Sequence, residues 1–162
     1  MIYKWIDKMF HHAFEKEWFI TYWAFDIHGT ILKPNYRKDN KDAILDGKDV
    51  VFYPWAKETL QLISKRKDIV MIISTSSYPE EIECYQKVFK ENNIIFKYIN
   101  ENPEIDSSKG NFGYYKDKFY FNVLLEDKAG YDPETEWYQI YSLLKQYEND
   151  NYFPDPNWAT KY

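Results

Sequence analysis

Residues 20–30 read Ile20-Thr21-Tyr22-Trp23-Ala24-Phe25-Asp26-Ile27-His28-Gly29-Thr30. The first six form a short apolar run rich in aromatic and β-branched side chains, the composition of a buried strand, and Gly29-Thr30 then turns the chain sharply away. A carboxylate at the carboxyl end of such a strand is costly unless it is solvated, paired or bound to a metal. Asp26 is therefore either a cap on the turn that follows or a group set at the edge where open α/β sheets keep their ligand crevice.

Two further runs repeat the arrangement. Asp68-Ile69-Val70-Met71-Ile72-Ile73 ends in the hydroxyl cluster Ser74-Thr75-Ser76-Ser77, and Phe121-Asn122-Val123-Leu124-Leu125 ends in Glu126-Asp127. Continuous apolar runs separated by helical stretches are the pattern of parallel strands buried on both faces. The spacing predicts an α/β fold: a doubly wound, Rossmann-like parallel sheet with helices on both faces. The carboxyl ends of the three runs would share one edge, where carboxylates, hydroxyls and Lys118 converge. Such a set suits Mg2+ and a phosphoryl group, with carboxylate oxygens for the hard cation and donors for the phosphate oxygens.

The rest of the chain fits around these runs as a single domain over residues 1–162. Ile2, Ile6, Met9, Phe10, Phe14 and Trp18 recur near helical spacing, so residues 2–18 read as an amphipathic helix against the sheet or a partner. Helices are also predicted over 54–66, with Ala56, Leu60 and Ile63 on one stripe, and over 79–91, with Ile82, Tyr85 and Phe89 inward. Residues 94–99 read as another short strand and 100–116 as a loop near the active edge. Lys33 to Lys48 is polar and contains Pro34, Asn35, Asn40 and Gly47, so residues 31–53 are expected to form a short flap. The last helix is predicted to start at Asp132-Pro133-Glu134, where Asp caps well and Pro suits the first turn. Residues 148–162 read as an irregular tail.

These residues resemble, motif by motif, the haloacid dehalogenase-like (HAD) superfamily of phosphohydrolases over roughly residues 19–145. Phe25-Asp26-Ile27-His28-Gly29-Thr30 is similar to its first motif, in which the leading Asp is the nucleophile. Ile72-Ile73-Ser74-Thr75 is similar to the second, whose hydroxyl holds phosphoryl oxygens, with Ser76, Gly29 and Thr30 as further substrate-binding positions. Lys118 resembles the third-motif lysine, with Lys116 as runner-up and Lys109 also in reach. Leu124-Leu125-Glu126-Asp127-Lys128-Ala129 resembles the paired-acid fourth motif. The segment Phe96-Lys97-Tyr98-Ile99-Asn100-Glu101-Asn102-Pro103 is similar to a stretch of small members. The gap between Thr30 and the helix near Pro54 is too short for a full cap domain.

The resemblance implies a Mg2+-dependent phosphomonoester hydrolase working through an aspartyl-phosphate. Asp26 would attack phosphorus, Thr75 and Lys118 would offset charge on the equatorial oxygens, and Mg2+ would sit between Asp26, the His28 carbonyl and Asp127, with Glu126 orienting that shell. Asp132 is either the helix cap or an acid supporting the metal. His28 stands where the family carries an Asp. Its imidazole, titrating near pH 6.5 when unperturbed, would relay a proton, mark a different reaction, or accompany a site that binds phosphate without turnover.

Composition narrows the partners. With 162 residues, 44% hydrophobic and 29% charged, the chain has the balance of one globular domain. A net charge of −5 argues against broad capture of nucleic acid or anionic membrane. The interleaved Tyr114-Tyr115-Lys116-Asp117-Lys118-Phe119-Tyr120 keeps nucleic-acid end processing open, against the plainer reading of a loop leading into a strand. A phosphorylated small molecule or nucleotide is the expected substrate. Aromatics make up 20% of the chain, including 16 Tyr and 6 Trp, and are spread along it rather than gathered in one stretch. Cys84 stands alone, which excludes an intramolecular disulfide framework and fits a reducing compartment. No run approaches the ~18 apolar residues of a membrane span and none opens the chain as a signal peptide would, so a cytoplasmic location is expected.

Overall fold

The computed structural model describes residues 1–33, 50–105, 113, 115 and 117–149. Their elements run α1 (Ile2–Glu15), β1 (Thr21–Phe25), α2 (Ala56–Ser64), β2 (Ile69–Ile73), α3 (Pro79–Glu91), β3 (Tyr98–Ile99), β4 (Val123–Leu125) and α4 (Glu136–Asn149). The strands form one parallel sheet in the order β3-β2-β1-β4. The chain winds outward from β1 through β2 to β3, then returns across the sheet to β4 on the other side of β1. That reversal makes the sheet doubly wound and puts the switch point at β1.

Side-chain alternation separates the two faces. Trp23, Phe25, Met71, Ile73, Val123 and Leu125 join one core cluster with the inward residues of all four helices, among them Ile6, Leu60, Phe89 and Trp137. Tyr22, Val70 and Ile72 point to the opposite face, where Tyr98, Ile105, Phe119 and Tyr120 pack on them. Right-handed crossovers place α2 and α3 on one face and the β3–β4 connection on the other. Among the described residues the second face is covered by Ile105, Phe119 and Tyr120 of that connection, none of them in a helix, while the four helices pack on the first face. Glu104 fastens the connection, accepting hydrogen bonds from Tyr22 (3.0 Å) and Tyr98 (2.8 Å) and pairing with Lys97.

Large aromatic groups fill the main core. Trp23, Phe25 and Trp137 are fully buried. Phe25 lies parallel to Trp137 at 6.3 Å between ring centres. Both buried indole N–H groups have acceptors: Trp23 donates to the Thr21 hydroxyl at 3.0 Å and Trp137 to the Thr30 carbonyl at 2.9 Å. Under α1, Arg66 forms a bidentate pair with Asp68 (2.9 and 2.6 Å) and lies 5.1 Å from the Phe10 ring.

Several boundaries differ from the sequence reading for local reasons. The first helix stops at Glu15 because Glu17 turns into the left-handed region (φ 54°), so Trp18 lies beyond it; Trp18 and Phe14, the last apolar residue inside the helix, are both exposed instead of on the buried stripe. Of residues 94–99 only Tyr98 and Ile99 are strand; Ile94 is buried in the core but Ile95 faces solvent. The third helix matches its predicted range, with Pro79 in its first turn and the Tyr78 N–H bonded to the Glu81 carboxylate at 2.9 Å. The last helix starts at Glu136, later than expected, since residues 132–135 form a turn. The base of the predicted flap is a pair of antiparallel legs, with Lys33 N–H bonded to the Val51 carbonyl and Tyr53 N–H to that of Ile31. Residues 34–49 and the tail from 150 lie outside the described residues. No helix among the described residues is long and apolar enough to cross a membrane.

Candidate functional site

The strand register levels four polar residues at one edge. Phe25 pairs with Ile73 and Leu125, and Ile73 with Ile99, so Asp26, Ser74, Glu126 and Asn100 each come one residue past the end of their strand. Parallel pairing continues there: Asp26 N–H bonds the Leu125 carbonyl, Ser74 N–H that of Phe25 and Asn100 N–H that of Ile73. This is the carboxyl edge at the switch point, where the two connections beside β1 diverge and leave a crevice.

Asp26, Glu126 and Asp127 meet in that crevice, each offering a carboxylate oxygen within 4.8 Å of the others. Burial, then the charge of Asp127, pushes the Asp26 carboxyl above its ordinary value, against the Ile27 N–H, Lys128 and the Thr30 hydroxyl. Burial likewise raises Glu126, with Asp127 and Asp26 adding to it. Asp127 Oδ1 is buried and has no hydrogen-bond partner among the described residues. Three hard oxygen donors that repel one another, one of them buried and unbonded, match the needs of a divalent cation such as Mg2+.

Local structure holds the acids in place. Asp127 opens a single 3-10 turn (Asp127–Ala129) that Glu126 caps by accepting from the Lys128 N–H at 3.3 Å, and Gly130 closes in the left-handed region. The Asp127 N–H donates to the Thr30 hydroxyl at 3.0 Å. Thr30 is fully buried, so the substrate contact expected of it is corrected: its hydroxyl bridges Asp26 and Asp127 beneath the crevice. Gly29 sits at φ +79°, and a Cβ there would lie 2.7 Å from Asp127 Oδ2. Gly29→Ala should cost about 1–3 kcal/mol in backbone strain and push the Asp127 carboxylate aside. A Mg2+-dependent thermal shift should weaken at least about tenfold in apparent affinity; an unchanged metal titration would show that Asp127 has room to yield.

The remaining expected residues are distributed unevenly. His28 Nε2 lies 2.5 Å from the hydroxyl of Tyr85, a buried α3 residue whose phenol is pushed up to about 12 by burial and therefore stays protonated. Burial lowers the His28 pKa and Lys128 adds to that, against Glu81. The Thr75 hydroxyl is taken up in a turn, accepting from Ser77 N–H at 3.2 Å and lying 3.1 Å from the Ser77 hydroxyl. The Thr75 backbone is clamped by Asn100, whose side chain accepts from Thr75 N–H and donates to Thr75 C=O, both at 2.8 Å. Ser76 is exposed. Lys118 lines a cavity with Ser74 and Glu126 and lies 5.5 Å from the centre of the Phe121 ring. The ammonium whose field reaches both Asp26 and His28 is that of Lys128. Lys109, Tyr114 and Lys116 lie outside the described residues.

Asp132 caps the turn that leads into α4, three residues ahead of where a cap on the helix itself would stand. Its carboxylate accepts from Glu134 N–H (3.1 Å) and from the Thr135 hydroxyl (2.7 Å), its carbonyl accepts from Glu136 N–H, and it stands apart from the acidic cluster. Sequence reasoning passed over Tyr85, Asn100 and Lys128 as site residues. Only Asn100 and Lys128 carried a local signal, each lying within one or two residues of a strand end or of the acid pair.

No known family's sequence profile matches the chain, and no curated protein matches it. Its fold is similar to the solved structure of a conserved protein from Bacteroides thetaiotaomicron. The two align with a TM-score of 0.55 at 20% identity, over 78% of this chain and 91% of the other. That likeness extends to the α/β fold.

Proposed function

We propose that the protein is a Mg2+-dependent phosphomonoester hydrolase of the HAD type, with Asp26 as nucleophile. The observation that carries the reading is the convergence of Asp26, Glu126 and Asp127 at the switch-point edge, with Asp127 Oδ1 buried and unbonded. A divalent cation held by these three carboxylates and the His28 carbonyl would neutralise charge on the phosphoryl oxygens. Asp26 forms a bond to phosphorus as the bond to the leaving oxygen breaks, and that oxygen takes a proton from the His28 imidazolium. A water then attacks the aspartyl-phosphate, gives its proton to His28 and releases inorganic phosphate and the free carboxylate. Lys118 and Lys128 offset charge on the equatorial oxygens. Release of phosphate from a generic aryl phosphate, with and without Mg2+, tests the assignment; absence of Mg2+-dependent release would overturn it.

His28 gives a pH signature. Its depressed pKa leaves it largely neutral at pH 7, so hydrolysis of esters with poor leaving groups should fade as pH rises through a value below the usual ~6.5. Water attack, which needs the neutral ring, fades in the opposite direction. His28→Ala should lose about 10²–10⁴-fold in rate while keeping metal binding, which uses the backbone. Identical pH profiles for the two proteins would make His28 a bystander.

The metal itself is testable without turnover. Asp26 and Glu126 are raised from 3.8 and 4.5, so between those values and the raised ones the folded metal-free protein binds more protons than the unfolded chain. Stability then falls as pH rises through that window. Saturating Mg2+ favours the ionised carboxylates and should offset the fall, read as the thermal midpoint against pH with and without Mg2+. Parallel curves at every pH would remove the metal from the site.

The alternative is a silent module that binds a phosphorylated partner, favoured by the hydrogen bond that ties His28 to Tyr85. Beryllium fluoride with Mg2+ should raise the melting temperature of an active site and leave a silent one nearly unchanged.

A further inference from the structure

The crevice opens sideways into a cavity of about 700 Å3, lined at one end by Ser74 and Glu126 and at the other by the β3–β4 connection. Glu126 belongs both to this cavity and to the acidic cluster, so an organic group lodged in the cavity is joined naturally to a phosphoryl group at Asp26. The cavity wall is aromatic. Tyr115, Phe119 and Phe121 line it, all half-buried, with Phe119 and Phe121 ring to ring at 5.7 Å. Two exposed carboxylates, Glu101 and Asp117, stand on the same wall.

Each feature excludes a class of substrate. A volume in the range of sites for whole small ligands is larger than a bare phosphate or a short-chain phosphate needs. Half-buried rings present apolar π faces, which reward a planar unsaturated group over a hydroxylated chain. Carboxylates accept hydrogen bonds and donate none when ionised, so they select a group carrying N–H donors, while Lys118 on the same lining is left to face the phosphate. A planar ring with an exocyclic amino group, attached to a single phosphomonoester, meets all three conditions.

Resting on the phosphohydrolase reading, we propose that the substrate is a nucleoside monophosphate with an amino-bearing base. The base stacks on the Phe121 ring, which Phe119 meets at 64° and so flanks edge-on, and donates to Asp117 or Glu101, while the phosphate lies at the Asp26 end. Cytidine and uridine monophosphate isolate the amino group, since they differ there and share sugar and phosphate. Ribose 5-phosphate removes the base.

The test has a binding arm and a turnover arm. In calorimetry, cytidine, which carries no phosphate, should bind wild-type protein, and Phe121→Leu should weaken it roughly tenfold or more, as loss of one stacking surface does. Phe121→Tyr should restore it, which separates the ring from the fold. In turnover with Mg2+, cytidine monophosphate should exceed both uridine monophosphate and ribose 5-phosphate in kcat/KM by at least about tenfold, the effect of one lost stacking or hydrogen-bonding contact. Asp117→Asn together with Glu101→Gln should narrow the margin over uridine monophosphate. Hydrolysis of ribose 5-phosphate as efficient as that of cytidine monophosphate, equal use of the two nucleotides, or no cytidine binding at millimolar concentration would each overturn the proposal while leaving the hydrolase reading in place. Binding of cytidine without release of phosphate from any ester would overturn the hydrolase reading and leave the cavity as a base-binding site alone.

Discussion

Asp26→Asn is expected to lower Mg2+-dependent phosphate release by at least about 10³-fold. The amide keeps the shape of the side chain and its backbone bond to Leu125, so the fold should survive. What goes is one of three anionic donors and, on the proposed reading, the nucleophile. Removing that charge also relieves the repulsion that lifts Glu126, so the variant without metal should tolerate rising pH better than wild type. Loss of turnover together with a gain in metal-free stability is a paired signature of a residue that the fold holds at a cost. Wild-type-like rates on an aryl phosphate would place the chemistry elsewhere, and a loss of rate matched by unfolding would make Asp26 structural.

Asp68→Ala carries the largest expected effect on stability, about 3–5 kcal/mol. The Arg66 and Asp68 side chains are 2% and 9% exposed, and deleting the carboxylate leaves a guanidinium buried beneath Phe10. A chain of this size should lose roughly 6–20 °C in melting temperature. The double variant Arg66→Met/Asp68→Leu should recover most of it, since apolar groups of similar volume often replace a buried ion pair without loss. A single variant within about 1 kcal/mol of wild type would mean that water reaches the guanidinium. The pair lies at the amino end of β2, so phosphate release at the opposite edge should follow the folded fraction alone.

The strands that carry Asp26 and follow Asp68 are also where the sequence was most informative. β1 and β2 were legible because both faces are buried, and an unbroken apolar run has few other readings at that length. The acids at the ends of β1 and β4 followed from the runs themselves. β3 was overread since burial of Ile94 comes from packing under a turn and not from pairing. The aromatic cover of the second face had no period to detect, because residues outside helix and strand, as Ile105, Phe119 and Tyr120 are, can meet the sheet at any spacing. The hardest part was the site's long-range polar wiring. Tyr85 reaches His28 across 57 positions and Asn100 reaches Thr75 across 25. Tyr85 looked like a core residue of α3 because it is one; only its hydroxyl faces the site.

The antiparallel legs at Lys33–Val51 and Ile31–Tyr53 have a bearing on how such a protein diversifies. They join residues 34–49 to the body at a single closed doorway, and Leu32 is bridged to His28 on its inner side. Lengthening a chain segment between two ends that are already pinned is cheap, about 0.6 kcal/mol for each doubling. Nothing in the sheet or the carboxylate cluster has to move for it. The doorway is thus a splice point at which whole recognition modules could be gained, lost or traded over evolutionary time, or grafted by an engineer, while the sheet edge and its three carboxylates are inherited intact.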